Sequence, residues 1–128
     1  MDKDFKKWHS KKTDIERIPE RPFFHEGEIW FCHLGANVGS EEDGVGDDFL
    51  RPVVIVRKFN DEVFWGIPLT RTQKTSPYYF AFTLGGQVSV AILSQIRLID
   101  ARRLGYLIGV ALPADVAEIR KRLRQLIP

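Results

Sequence analysis

Cysteine is almost missing from this chain. The 128 residues hold one, Cys32, so no disulfide can close within the chain and no cysteine-based zinc site can be built. Long apolar runs are missing too, and none approaches the ~18 residues that a bilayer-spanning helix requires. The lysines near the start are not followed by an apolar stretch, which argues against a secretory leader. Histidine is scarce, and His9, His25 and His33 have no metal-ligand spacing among themselves. Nor is there an excess of one charge. Lys and Arg total 19 against 17 Asp and Glu, a net +2, so any binding to nucleic acid must come from local placement rather than a global field. These absences predict a soluble protein of the reducing cytoplasm with no membrane contact, no metal and no cofactor.

What is present suits one globular domain: 44% of residues are apolar and 28% charged. A chain of this size buries roughly two thirds of its unfolded surface. Residues 1–22 stand apart in composition. They are charged, with Phe5, Trp8, Ile15 and Ile18 at roughly helical intervals, which predicts a helix over about residues 3–17 that stops near Pro19 and Pro22 and packs on the body. We therefore expect a charged, part-helical extension over 1–22 and a barrel domain over 23–128.

From Glu28 to Asp100 the pattern changes to short strands separated by turn residues. Glu28–Leu34 reads as a strand, and Gly35–Asp48, with four glycines and five acids, as a long loop. A calcium-loop reading of those acids fails on ligand spacing. Pro52–Phe59 is a nearly continuous apolar strand with proline at its first position. Asn60-Asp61 turns it into Glu62–Leu69, and Gly85-Gly86 joins Tyr78–Leu84 to Gln87–Leu93. Trp30, Phe31, Phe64 and Trp65 read as core or dimer surface, Cys32 as packed, and His33 as a half-buried strand histidine. Such strand spacing predicts a small, strongly bent barrel. Pro113 then opens a helix with Val116, Ile119, Leu123 and Leu126 on one stripe. Acids in its first turn and arginines later follow the order the helix dipole favours. Its basic residues read as a solvated face.

The chemistry gathers around Arg51. It stands at the mouth of the buried run Val53–Val56, just after the acidic loop. A guanidinium fixed at a strand edge can grip two oxygens of a phosphodiester. The plainer reading of such a residue is an arginine lying over apolar surface.

Taken together, the segments GEIWFCHLG at 27–35, NVGSEEDG at 37–44, LRPVVIV at 50–56, IPLT at 67–70 and ILSQIRLIDARRL at 92–104 resemble the MazF/PemK family of toxins from bacterial toxin–antitoxin pairs. The likeness covers about residues 27–104, in the family's order. It implies a mainly β fold: an SH3-like barrel of five to seven strands with a C-terminal helix, here with a short N-terminal helical extension. It also implies a homodimeric, metal-independent, sequence-selective endoribonuclease that cuts single-stranded RNA and is held in check by a cognate antitoxin. By the same resemblance Arg51, Thr70 and Glu41 are the expected catalytic set, and Gln95, Arg97 and Ser40 the expected RNA-binding residues, with Gln95 and Arg97 on a strand beside the site. Arg97 and Asp100 could equally form a structural pair.

Two departures qualify this. Some members carry an Arg-x-Asp set just before the glutamine, where this chain has Ile92-Leu93-Ser94, so catalysis here would need the Arg/Thr/Glu set. The loop into Arg51 is also long and acidic, and residues 45–49 are a candidate lid over Arg51. The related CcdB toxins share the fold and block DNA gyrase without cleaving anything, so a non-catalytic binder of RNA or protein is the alternative.

Overall fold

A computed structural model describes residues 5–16, 20–35 and 50–128. Its elements are helix α1 (Phe5–Glu16), strands β1 (Glu28–His33), β2 (Leu50–Lys58), β3 (Val63–Thr70), β4 (Tyr79–Leu84), β5 (Gln87–Ile92), β6 (Arg97–Asp100) and β7 (Leu104–Val110), and helix α2 (Pro113–Leu126). Short 3-10 turns at Leu93–Gln95 and Ala101–Arg103 flank β6. The strands run in the order β4-β5-β3-β2-β1-β7, with β6 pairing beside β3, and every pairing is antiparallel. This is the small, bent, mainly β architecture that the sequence predicts.

The unbroken apolar run of β2 has a plain cause: both faces of the central strands are covered, so no alternation is needed. On one face Val54 and Val56 join Ile29, Ile67, Leu69 and Leu93 beneath Val116 and Ile119 of α2. Leu123 and Leu126 complete that stripe, partly buried. On the other face Val53 and Ile55 pack with Trp30, Cys32, Phe24, Phe64, Ile99 and Leu104. Fully burying one such aliphatic side chain stabilises by about 1.5–3 kcal/mol. Pro52 stands third in β2 rather than first as expected. It is tolerated because β2 pairs with β3 only from Val53 onward, leaving Pro52 a ladder neighbour on β1 alone.

The pairing of β2 with β3 shifts register between Ile55 and Arg57, which leaves Val56 without a partner on β3. Arg120 of α2 takes up its carbonyl, donating from Nε at 3.2 Å and Nη2 at 2.9 Å, while Nη2 also reaches Glu26 at 3.0 Å. Helix and sheet are thus joined by polar contacts as well as by the apolar stripe.

The N-terminal segment is anchored at two places. Trp8 and Ile15 of α1 are buried together. Beyond the helix, Arg21 donates from Nε and Nη2 to the two carboxylate oxygens of Asp100, each at 3.0 Å. Arg102 adds its backbone N–H at 2.9 Å and two side-chain donors to the same carboxylate. Asp100 therefore pairs with Arg21 and Arg102 among the described residues, not with Arg97. Burial alone would push the Asp100 carboxyl up, but the hydrogen bonds from Arg21 and Arg102 outweigh it and hold it well below the usual carboxylate range. An unfolded aspartate titrates near ~3.9. The pairing is therefore fully stabilising above that pH, and its contribution is lost as pH falls through the lower folded-state value. Denaturant midpoints measured on going from about pH 5 to about pH 3 should fall more steeply in the wild type than in Asp100→Asn. Parallel slopes would show that the pairing carries no net stability.

Candidate functional site

Arg51 lies on β2 and Thr70 closes β3. Pairing of the two strands ends at Val53 and Pro68, and Arg51 and Thr70 lie two residues beyond it, at the same end of neighbouring strands. Both line one groove of about 710 Å³. Its floor is apolar, from Ile29, Pro52 and Leu69, and Leu84, Gln87 and Ser89 of the β4–β5 hairpin form one wall. Phe31 of β1 and Ile108 of β7 also line it, and Leu84 of the hairpin reaches Gly109 of β7. A water-accessible trough with a cation and a hydroxyl at one end and apolar surface beneath suits a ligand with a phosphate and flat rings.

The Thr70 Oγ1 accepts the Thr72 backbone N–H at 3.2 Å, which orients the hydroxyl and leaves its proton to donate. Arg71 and Thr72 follow it along the groove. They sit beside a residue the sequence singles out, yet their part is visible only once β3 is seen to end there. Gln87 and Ser89 were also missed. The usable signal was their two-residue period on β5, polar positions alternating with Val88 and Val90. Phe31, expected in the core or at a dimer surface, is half-buried and lines the groove. Its ring packs on Tyr106 of β7 with centroids 4.8 Å apart.

Other expected site residues fall elsewhere. Gln95 is in the Leu93–Gln95 turn rather than on a strand, and Arg97 begins β6 opposite Gly66, on the side of β3 away from β2. Neither lines the groove. Ser40, Glu41 and the candidate lid at 45–49 lie outside the described residues. Of the altered positions, Ile92 and Leu93 are buried in the core and Ser94 is exposed.

Cys32 pairs with Arg51 across β1 and β2, but its thiol cannot act as a nucleophile. Complete burial pushes it far up, and the nearby Arg103 and Arg97 offset only part of that. His33 is half-buried at the end of β1, its carbonyl accepting from Arg103 Nη1 at 3.2 Å. Among the described residues no cluster of His, Cys, Asp and Glu could hold a metal, and no helix is long and apolar enough to cross a membrane.

Comparison with solved structures places the fold. An endoribonuclease of a mycobacterial species, in complex with its cognate antitoxin, superposes with a TM-score of 0.65 at 19% identity, over 83% of this chain and 98% of that one. MazF from Deinococcus radiodurans gives 0.65 at 19% identity, over 84% and 97%. The MazE–MazF complex from the same organism gives 0.62 at 16%, over 84% and 96%. Comparison with curated protein sequences yields no match. The sequence profile described as PemK-like, MazF-like toxin of type II toxin–antitoxin system matches residues 25–127, nearly the whole barrel and α2. The chain belongs to the PemK/MazF family of type II toxin–antitoxin toxins.

Proposed function

We propose that this toxin is a metal-independent, sequence-selective endoribonuclease that cuts messenger RNA. The observation that carries the reading is the meeting of Arg51 and Thr70 in one groove, from strands that reach it separately. In the proposed reaction the ribose 2′-oxygen bonds to the neighbouring phosphorus and the bond from phosphorus to the 5′-oxygen breaks. A base takes the 2′-hydroxyl proton, and the departing 5′-oxygen gains one. Arg51 grips two non-bridging oxygens as charge builds on them, and Thr70 donates its hydroxyl to the same phosphate. Glu41 is the proposed base. DNA lacks the attacking hydroxyl and is spared.

The proposed partners follow from the same surfaces. Single-stranded RNA lies in the groove, with Phe31 offering a ring face to a base. A cognate antitoxin is the second proposed partner, since similar proteins are solved as an endoribonuclease with its cognate antitoxin and as a MazE–MazF complex. β7 ends the sheet and exposes Tyr106, Leu107, Ile108 and Val110, an apolar edge suited to a second copy of the chain. Because Ile108 also lines the groove, that second copy would border it. The proposed setting is the cytoplasm.

A second reading, RNA binding without turnover, draws on Ile92 and Ser94, which stand where some family members carry the Arg and Asp of an acid–base set. Incubation with a long RNA in EDTA separates the two. Discrete fragments with cyclic phosphate ends are expected. Intact RNA, retarded on a gel but never shortened, would overturn the ribonuclease and leave the binder.

A further inference from the structure

The family match begins at residue 25, and the two superposed toxins cited above at a TM-score of 0.65 are almost wholly covered while about a sixth of this chain is not. Helix α1, at Phe5–Glu16, lies outside the family match, and where it lands is specific. The indole of Trp8 lies directly on Gly35, two residues past the end of β1. Gly35 has φ of +80°, and a Cβ there would overlap the ring itself, so the close approach requires glycine twice over. Arg103 lies over the Trp8 ring, its guanidinium carbon 5.5 Å from the centroid, and donates to the His33 carbonyl at 3.2 Å. Leu34, between these two residues, is buried and its N–H returns to the Cys32 carbonyl at 3.0 Å. Residues 32–35 are therefore held from the outside by α1 and Arg103. The same residues hold the mouth of β2, since Cys32 pairs with Arg51 and His33 with Leu50.

We propose that α1 braces the end of β1 and, through the Cys32–Arg51 pair, fixes Arg51 at the groove, making Trp8 a positioning residue. This rests on the reading of Arg51 as the phosphate-gripping group. A guanidinium at a strand end is only as well placed as the strand end itself, and misplacement by an ångström is enough to reduce turnover. The tie from Arg21 to Asp100 keeps the chain after α1 on the same side of the barrel.

Full-length Trp8→Ala and Trp8→Phe proteins test this in two measurements. In amide hydrogen exchange, peptides over residues 32–35 and 50–53 of Trp8→Ala should exchange about tenfold faster than in the wild type, with those over 64–69 unchanged. In RNA cleavage under EDTA, kcat of Trp8→Ala should fall about tenfold with KM within about twofold, and Trp8→Phe should recover most of the loss. Unchanged exchange at 32–35 and 50–53 overturns the brace. So does equal acceleration across every peptide, which would make Trp8 a matter of global stability, or a loss confined to KM. If the wild type leaves RNA intact, it is the ribonuclease that fails, and the exchange pattern alone then decides whether α1 braces the strand end.

Discussion

Arg51→Ala is expected to lower RNA cleavage at least about a hundredfold while leaving the melting temperature close to that of the wild type. The size follows from what the side chain is placed to do. A preorganised donor aimed at developing charge is worth about 2.7–4 kcal/mol when removed, and a hundredfold corresponds to about 2.7 kcal/mol. The unchanged melting temperature follows from position: Arg51 is only half-buried, on the groove wall, and belongs to neither apolar core. Arg51→Lys should recover only part of the activity, because an ammonium cannot match two phosphate oxygens with a planar fork. Cleavage by Arg51→Ala at the wild-type rate would remove this residue from the reaction. A lowered melting temperature in step with lost activity would assign it a structural part instead.

Phe24→Ala should cost about 3–5 kcal/mol of unfolding free energy, read from the shift in urea midpoint at constant slope. Phe24 precedes β1 and belongs to no strand, yet it is fully buried against Phe64 with ring centroids 5.2 Å apart. Lys58 covers the ring from outside, its Nζ 4.5 Å from the centroid, and donates to the Phe24 carbonyl at 2.9 Å. Domains of this kind hold about 5–15 kcal/mol in all, so this one ring accounts for a large part of the margin. The residue lies just ahead of the family match at 25. A chain begun at residue 25 should lose more than this, because the Arg21–Asp100 pairing and the buried Trp8 and Ile15 go with the ring. A cost below about 1 kcal/mol would show that the second core closes without it.

Much of this architecture was legible because local signals and tertiary demands agree. Asn60-Asp61 and Gly85-Gly86 mark turns that the fold uses, and the stripe from Val116 to Leu126 is the stripe that α2 lays on the sheet. β7 was not legible. Leu104–Val110 carries two glycines among apolar residues and shows no two-residue alternation. The reason is physical: as the last strand of the sheet it exposes side chains on both faces, so no core imposes a period on it. Arg51 and Thr70 could be named from motifs, but only the folded sheet brings them to one groove. Gln95 and Arg97 sit three and one residues ahead of Leu98 in sequence, but the turn at Leu93–Gln95 carries them off the groove. No sequence pattern announces that Trp8 rests on Gly35, since the contact depends on where a helix outside the shared barrel comes to lie.

The Arg120 contact has a consequence for how the molecule comes apart on heating. If α2 lifted away alone, it would break both Arg120 bonds to the Val56 carbonyl, at the register shift of β2, and uncover Ile119 at the same moment. Peeling the helix is thereby penalised at its first step. A calorimetric scan should show one symmetrical endotherm with no earlier shoulder, its van't Hoff and calorimetric enthalpies agreeing.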